Sequence, residues 1–346
     1  MKILFWGTPD YSIPTLDALV EAGHSLVGVV TQPDRRRGRG KQLQASPVKQ
    51  RAIELDLTVI TPERIRKQVE LQAELASLDP DISVVVAFGQ ILPRAVLTQP
   101  PLGCWNGHGS LLPRWRGAGP IQWSLLSGDS STGVGIMAME EGLDTGPVLL
   151  QRELSIGLLE SSAELARRLS LLTAELMVEA LPRIEGVGHG SESDRWQRLG
   201  VISQEHLDGE PTYARMLSKD DYVLNWKRSA LDIHHQVMGL YPNAVSGWRG
   251  KRIKIRSSEP LVERLKKDLS DDAHKFLGRW LPGAVPPGRV LALDESIGLV
   301  VSTGGCPLLI REAQLEGKSM AAGGVLLQQM QVAVGDCFDQ LTIQTN

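Results

Sequence analysis

Three apolar runs without polar alternation constrain the first half of the chain more than any other feature. The run DISVVVAFG at 81–89 is apolar on both strand faces, and KILFWG at 2–7 and SLVGVVTQ at 25–32 are similar. A strand of this kind needs cover on both sides, which is the environment of a parallel sheet in an α/β protein. We therefore predict a doubly wound, mostly parallel sheet with its ligands at the carboxyl ends of the strands.

Helical patterns separate these runs. Apolar spacing predicts helices over 12–24, 46–57 and 63–80, and the second has Ser46 and Pro47 at its start. Serine is a preferred N-cap because its hydroxyl accepts from a free backbone amide, and proline suits the first helical position. The alternation of strand and helix supports the parallel sheet, because parallel neighbours need a crossover connection.

The second half of the chain has a different character. Residues 187–210 are polar and rich in Gly and Ser, which indicates a linker. After a helix expected near 228–239, short apolar runs with glycine turns are typical of a small β-barrel. We therefore predict domains at 1–186 and 211–346, joined by the linker. Residues 262–287 interrupt the barrel strands and are expected to form an exposed insertion.

Composition and charge exclude several classes of protein. The 346 residues suffice for two cores, and a net charge of −3 means that binding a polyanion needs a local basic patch. The three cysteines, Cys104, Cys306 and Cys337, are too far apart for a metal motif or a disulfide framework. No run approaches the roughly 18 apolar residues of a membrane span. We expect a cytoplasmic monomer that uses no metal and contacts no membrane.

An amide and an imidazole stand two residues apart in the stretch GCWNGHGSLLP. On an extended segment Asn106 and His108 point to the same side, and the neighbouring glycines leave room for a substrate. An amide donor stabilises a developing oxyanion, and histidine exchanges protons near neutral pH. Asp144, in a glycine-flanked loop, supplies a carboxylate that can hold the imidazole protonated. These groups predict acyl transfer without a covalent enzyme intermediate.

The same residues also have a structural interpretation. An isolated Asn-x-His pair more often serves packing than catalysis, and a lone loop aspartate more often closes a turn. Both interpretations stay open on the residues alone. A dehydrogenase has less support because the chain lacks a G-x-G-x-x-G pattern, and His234 and His235, adjacent on a helix, make a poor metal pair.

Two short segments concentrate positive charge. The first follows the second predicted strand and contains Arg35, Arg36, Arg37, Arg39 and Lys41. The second lies on a predicted barrel strand and contains Lys251, Arg252, Lys254 and Arg256. A nucleic-acid phosphate backbone is the natural partner of such segments. A solvated loop and a strand with one basic face are the alternatives.

Seven stretches spread over nearly the whole chain together resemble one family. They are ILFWGTPDYS, VVTQPDRRRGRGKQLQASPVK, VVAFGQILP, GCWNGHGSLLPRWRGAGPIQ, TGVGIMAMEEGLDTGPVL, YARMLSKDD and GKRIKI. The chain resembles the folate-dependent formyltransferases and, among them, the methionyl-tRNA formyltransferases. The Asn-x-His and Leu-Asp-x-Gly patterns are common to the whole family, whereas the basic loop and the barrel domain favour the members that act on tRNA.

The resemblance implies a Rossmann-like catalytic domain followed by an OB-like domain. It also implies transfer of the formyl group of 10-formyltetrahydrofolate to initiator methionyl-tRNA, for translation initiation. Asn106 and His108 would polarise the formyl oxygen, and Asp144 would set the charge of the histidine. The folate would contact Phe88, Gly89, Gln90, Ile91, Leu92, Ser110, Leu111, Leu112 and Pro113. The two basic segments would bind the tRNA.

Three positions depart from the family pattern. Gly107 replaces the usual valine or isoleucine, which is expected to loosen the strand through lost packing. Gly119 replaces alanine, and 262–287 has no counterpart. Because no chemical group is lost, the resemblance still implies an active enzyme.

Two other functions remain as alternatives. A formyltransferase of another acceptor, such as a sugar nucleotide or a purine precursor, would share the three polar residues but would have no use for an arginine-rich loop. A non-catalytic RNA-binding protein would have no reason to keep Asn106, His108 and Asp144 together.

Overall fold

A computed structural model describes residues 1–37 and 42–341, and the chain divides into two compact units. The first unit comprises Met1–Pro120, Thr132–Leu154 and Ala166–Arg215. The second comprises Ile121–Ser131, Ser155–Leu165 and the chain from Met216 onward. Each unit is therefore assembled from separate stretches of the sequence.

The chain alternates strands and helices as far as Ala214. In chain order the elements are β1 Lys2–Gly7, α1 Ile13–Glu21, β2 Ser25–Val30, β3 Arg35–Arg37, β4 Gln42–Gln44, α2 Pro47–Glu54, β5 Val59–Ile60, α3 Val69–Ser77, β6 Ile82–Val86, α4 Arg94–Leu97, β7 Cys104–His108, β8 Arg116–Gly117, α5 Pro120–Leu126, β9 Ser131–Ala138, β10 Val148–Ser155, α6 Ser162–Gly186, α7 Glu192–Leu199 and β11 Tyr213–Ala214. Within residues 1–37 and 42–341, no helix combines the length and apolar character needed to cross a bilayer.

A seven-stranded sheet forms the centre of the first unit, in the order β10-β9-β7-β6-β1-β2-β5. Five neighbouring strands, from β7 through β6, β1 and β2 to β5, pair in parallel, and β9 joins β7 in the antiparallel direction. The predicted doubly wound, mostly parallel sheet is thus confirmed. Every residue of β6 and β7 is buried, as expected for strands that are covered on both faces.

Local sequence signals also mark the helix starts. The Ser46 hydroxyl accepts from the Lys49 amide at the start of α2, with Pro47 at the first helical position, as predicted. The pattern over 63–80 produces a shorter helix than expected, because only 69–77 is α-helical and a 3₁₀ turn precedes it.

Residues 187–210 differ from the linker interpretation. They contain α7, capped by the Ser191 hydroxyl, and both Arg195 and Gln204 are buried in the first unit. The sequence misled here because this segment is held by polar side chains rather than by an apolar stripe, so it lacks the periodicity of a packed element. The domain bounds 1–186 and 211–346 stay a prediction.

The second unit is built on antiparallel strands. Its elements beyond β11 are α8 Ala230–Gly239, β12 Val245–Trp248, β13 Lys251–Pro260, α9 Asp271–His274, β14 Val290–Asp294, β15 Gly298–Val301, β16 Leu308–Leu315, β17 Ala321–Ala322 and α10 Gly323–Met330. The strand order is β12-β13-β16-β15-β14, with β17 on β16, and each of these pairs is antiparallel. The antiparallel strands expected of the C-terminal domain are therefore present.

The sheet of the second unit carries apolar clusters on both faces. Side chains of α8 and α10 pack on one of them, where Trp226 and Trp248 each contact the ring of Phe338. Strand residues Val300 and Leu309 belong to the other cluster.

The predicted exposed insertion covers that other face. Three of its side chains, Leu269, Ala273 and Phe276, are buried in the cluster that contains Val300 and Leu309. The expectation that 262–287 is simply exposed is therefore wrong. The apolar residues of this segment are few and lie among charged ones, so the sequence shows no clear pattern. Their role is evident only from their packing on the sheet.

Candidate active site

Strand β7 presents the two polar groups that the sequence pattern singled out. Asn106 and His108 are two residues apart on this strand, with 9% and 6% of their surface exposed. Parallel pairing sets Asn106 beside Val85 of β6, and antiparallel pairing sets it opposite Met137 of β9. The pair therefore lies toward the carboxyl end of β7, an interior strand of the sheet, among buried neighbours.

His108 is oriented by a backbone carbonyl. Its Nε2 lies 2.9 Å from the carbonyl oxygen of Trp115. Because a carbonyl oxygen only accepts, Nε2 carries the proton of this bond, and the neutral ring has its lone pair on Nδ1. Nδ1 lies 3.8 Å from Asp144 Oδ2, an ion pair whenever the ring is protonated.

Asp144 brings the third group to the same place. Its Oδ1 accepts from Asn106 Nδ2 at 3.4 Å, and its Oδ2 accepts from the Gly117 amide at 2.8 Å. The side chain is 16% exposed, and the residue adopts φ +53°, which aspartate tolerates better than most residues. The structure thus brings Asn106, His108 and Asp144 together, although they are up to 38 positions apart.

The loop that carries Asp144 leaves little room for other side chains. A Cβ on Gly146 would lie 1.9 Å from the carbonyl oxygen of Ala138. Glycine is therefore required where the loop turns back from β9 toward β10. Thr145 bonds the Glu140 carboxylate at 2.6 Å across the same loop.

Sequence reasoning missed four groups that hold this site together. They are the Trp115 carbonyl, the Gly117 amide, the Thr212 hydroxyl and the Gln204 amide. The first two are backbone groups, so the identity of the residue does not predict their contacts. The other two lie in or beside the polar segment 187–210, whose composition indicated a linker rather than part of a site.

Gly107 corrects one expectation about β7. A Cβ at this position would lie 2.4 Å from Cγ2 of Thr173, well inside normal contact distance. The Thr173 side chain therefore occupies the space that a larger residue at 107 would take. The expected loosening through lost packing is wrong, because the neighbouring helix α6 fills the position.

The segment predicted to line a folate pocket is only partly available. Phe88 and Leu92 are buried in the core beside Trp6, and Gln90 bonds the Ile65 amide and the Pro62 carbonyl. Gly89 has φ +85°, and Ile91 is 64% exposed. Within this segment Ile91 thus presents the accessible apolar surface.

The second predicted folate segment forms a tight turn after β7. The Ser110 hydroxyl donates to the Arg114 carbonyl at 2.6 Å, and the Arg114 amide donates to the Leu111 carbonyl at 3.0 Å. Leu112 is buried against Met137, and Pro113 is also buried. The turn leads directly to the Trp115 carbonyl that orients His108.

Cys104, on the same strand as the catalytic candidates, is not available as a nucleophile. Burial raises the pKa of its thiol to about 12, and its Sγ lies 3.5 Å from the Leu97 carbonyl. A thiol in such surroundings stays protonated at neutral pH, so it behaves as a small core residue. This agrees with chemistry that needs no covalent enzyme intermediate.

The first basic segment is partly described. Arg35 and Arg36 are exposed on β3, which pairs antiparallel with β4, and Arg37 closes the strand. Arg39 and Lys41 lie outside the described residues. Asp34, just before the strand, pairs with Lys49 at 2.9 Å, so it is already neutralised from outside the segment.

The second basic segment alternates buried isoleucines with more accessible basic residues along β13. Ile253 and Ile255 of β13 are fully buried, whereas Lys251 and Arg252 are exposed. The remaining two residues bond neighbouring amide oxygens: Lys254 reaches Asn243 Oδ1 at 2.7 Å, and Arg256 reaches Gln314 Oε1.

The described site combines an amide donor, a carbonyl-oriented imidazole and a partly buried carboxylate. Such a set can stabilise negative charge on an oxygen and move a proton without a side-chain nucleophile. Across 1–37 and 42–341, no three His, Cys, Asp or Glu side chains are grouped so that they could hold a metal ion.

Comparison with known proteins gives this arrangement a context. Residues 1–181 match the formyl transferase family model, and 216–331 match the formyl transferase C-terminal domain. A methionyl-tRNA formyltransferase of Prochlorococcus marinus (strain MIT 9313) is 64% identical over 333 residues, or 96% of this chain and 97% of the relative. One of Synechococcus sp. (strain WH7803) is 65% identical over 336 residues, covering 97% and 98%.

Solved structures of lower identity share the fold. HypX from Aquifex aeolicus in complex with tetrahydrofolic acid superposes with a TM-score of 0.61 at 18% identity, over 96% of this chain. The chain spans about half of HypX, 48% of its length. An N-formyltransferase from Helicobacter canadensis, in complex with folinic acid and dTDP-3-aminofucose, gives 0.58 at 16% identity over 90% and 98% of the two chains.

The two family models together define a formyl transferase with an additional C-terminal domain. Identities above 60% over nearly the full length narrow the class further. The chain belongs to the family of methionyl-tRNA formyltransferases.

Proposed function

We propose that this chain transfers the formyl group of 10-formyltetrahydrofolate to the amino group of initiator methionyl-tRNA, in the cytoplasm, for translation initiation. The observation that carries the proposal is the convergence of Asn106, His108 and Asp144 within hydrogen-bonding or ion-pair distance. The 64–65% identity to curated methionyl-tRNA formyltransferases supports the choice of acceptor.

Asn106 and His108 act on the formyl oxygen. When the amino nitrogen of methionine attacks the formyl carbon, the carbonyl oxygen gains negative charge. The Asn106 amide and the His108 imidazole, both fixed on one strand, stabilise that charge without reorganising during the reaction. Because β7 is fully buried and hydrogen-bonded on both sides, its side chains are held in place before the substrates arrive.

Asp144 and His108 handle the protons. The attacking amine loses one proton as the new C–N bond forms. N10 of the folate gains one proton as the old C–N bond breaks, so the reaction consumes none overall. Asp144 lies next to both Asn106 and His108, where its carboxylate can accept the amine proton while the imidazole is oriented by Trp115.

Two segments near β7 are proposed to hold the folate. Ile91 offers exposed apolar surface beside buried Leu92, which suits a flat heteroaromatic ring. The 110–113 turn forms the other wall, since it follows His108 directly. Both segments come after parallel strands, where α/β sheets bind their ligands.

The basic residues of the first segment, Arg35, Arg36, Arg37, Arg39 and Lys41, are proposed to bind tRNA phosphates. Arg35 and Arg36 are exposed on a short hairpin that follows β2, close in sequence to the carboxyl edge of the sheet. Guanidinium groups pair with phosphate oxygens in a bidentate manner. The basic residues of β13 are the second candidate contact.

Acceptor competition tests the proposed function. The protein is incubated with 10-formyltetrahydrofolate carrying a labelled formyl group and, separately, with initiator Met-tRNA, elongator Met-tRNA and dTDP-3-aminofucose. We expect label on the initiator species alone. Label on the amino sugar, or on no acceptor, would contradict the proposal.

A further inference from the structure

Residues 201–214, called here the 201–214 segment, attach to both loops of the site. At one end Ile202 pairs with Val148, the first residue after the loop that carries Asp144. At the other end β11 pairs with β8 in parallel, and the Thr212 hydroxyl accepts from the Trp115 amide at 2.8 Å. The segment therefore joins the carbonyl that orients His108 to the loop that positions the carboxylate.

Gln204 makes the central contacts of this segment. It is 4% exposed, and its Nε2 donates to the carbonyl oxygens of Asp144 and Gly146, both at 2.8 Å. Its Oε1 accepts from Arg116 Nε at 2.8 Å. The Gln204 side chain thus links the backbone of the Asp144 loop to Arg116, the neighbour of Gly117.

These contacts complement the one that holds the Asp144 carboxylate. Gly117 donates to Oδ2 of Asp144 at 2.8 Å, and Gln204 binds the backbone of the same aspartate. The aspartate is therefore fixed at its side chain from β8 and at its main chain from the 201–214 segment. Asp144 has a φ of +53°, a left-handed conformation that is uncommon for non-glycine residues, and these contacts hold it there.

We propose that Gln204 is a positioning residue that holds the Asp144 carboxylate at His108 and Asn106. The inference rests on the proposed function, because it assigns the residue a role in formyl transfer. Gln204 is buried and bonds the backbone of the Asp144 loop, so it acts through the aspartate. A shift of about 1 Å in a catalytic group lowers rates by up to about a hundredfold.

Two substitutions separate this role from simple packing. Gln204→Glu keeps an acceptor for Arg116 but replaces the two donated bonds by repulsion between a carboxylate and two carbonyl oxygens. Gln204→Met keeps the shape and removes all three bonds. We expect kcat to fall tenfold or more in both, with KM for folate and for tRNA changed less than about twofold. A control, Gln197→Met, changes an exposed residue of α7 that lines the same pocket as Gln204 and should behave like the unaltered chain.

Retained kcat in a folded Gln204→Glu protein would overturn the proposal, since it would show that only the Arg116 contact matters. The melting temperature shows whether each variant folds. If Gln204→Met does not fold, the test rests on Gln204→Glu alone. Equal losses in the Gln197→Met control would overturn it as well.

Hydrogen exchange of the 139–147 loop provides a readout that does not depend on catalysis. We expect faster amide exchange of this loop in Gln204→Glu and not in Gln197→Met. Unchanged exchange would overturn the proposed contact. If the unaltered chain transfers no formyl group while the exchange still changes, the proposed function fails and the hold on the loop stands.

Discussion

Gly107 lies between the two catalytic candidates, and the absence of a side chain there leaves space for Thr173 of α6. Cγ2 of Thr173 lies 2.4 Å from the place that a Cβ at 107 would take. The Thr173 hydroxyl bonds Tyr11 at 2.8 Å and the Leu169 carbonyl at 2.7 Å. Helix α6 therefore packs directly against the backbone of β7 at the site.

This contact predicts a rescue. Gly107→Ala forces overlap with the Thr173 methyl group and should cost about 1–3 kcal/mol of unfolding free energy. Thr173→Ser removes that methyl and keeps the hydroxyl, so the double variant should recover most of the loss. Urea unfolding of the four proteins measures the coupling, and simple additivity of the two changes would contradict the contact.

The proposed catalytic trio could be singled out from the sequence, whereas the groups that hold it in place could not. Asn106 and His108 share a strand, so spacing alone aligns their side chains. Gln204 and Gly117 reach Asp144 across long stretches of chain, through an amide and a backbone group that have no pattern. Such contacts depend on the tertiary fold.

At the scale of elements, the β3–β4 hairpin carries the clearest candidate for nucleic-acid contact. We expect Arg35→Ala with Arg36→Ala to raise the KM for tRNA and to leave the folate KM unchanged. Each lost phosphate contact should lower the slope of log K against log salt by about one unit. Binding titrations at several salt concentrations measure this.

A charge-matched control accompanies the hairpin variant. Lys266→Ala with Lys267→Ala removes two exposed positive charges from another part of the chain. An equal effect of both pairs would show only a response to net charge. A change in the folate KM alone would assign the hairpin to the other substrate.

Helix α8 contains a buried histidine that couples stability to pH. Burial lowers the pKa of His234 from 6.5 to about 4, with Nε2 on the Leu158 carbonyl at 2.7 Å and Nδ1 near Ser258 Oγ at 3.1 Å. Below pH 6.5 the imidazole of His234 becomes protonated in the unfolded chain but stays neutral in the folded chain until the pH approaches 4. The stabilisation is therefore full above pH 6.5 and is lost as the pH falls toward 4.

Replacing this histidine should flatten the pH dependence. Between pH 7 and pH 5 the lowered pKa of His234 accounts for a fall of about 2 kcal/mol in the free energy of unfolding. The His234→Gln variant should lack that part of the fall. Urea unfolding at both pH values measures it, with the exposed His206→Gln as the control. An unchanged decline in His234→Gln would contradict the account.

At the scale of the whole molecule, the mostly parallel character of the first sheet could be predicted, whereas the assignment of separate stretches of chain to each unit could not. Strands that are apolar on both faces define the parallel sheet locally. The assignment of 121–131 to the second unit depends on contacts such as Gly239 of α8, whose Cβ would lie 3.2 Å from Leu125 of α5. A close approach of this kind has no local signal.

The central claim is that the groups on β7 transfer a formyl group to initiator Met-tRNA, and single-turnover transfer by His108→Ala tests it most directly. The rate constant is measured at saturating folate and tRNA, beside the unaltered chain and after its melting temperature is checked. Loss of general acid–base and oxyanion assistance predicts a fall of about a hundredfold to ten-thousandfold. A rate within a few-fold of the unaltered chain would contradict the account.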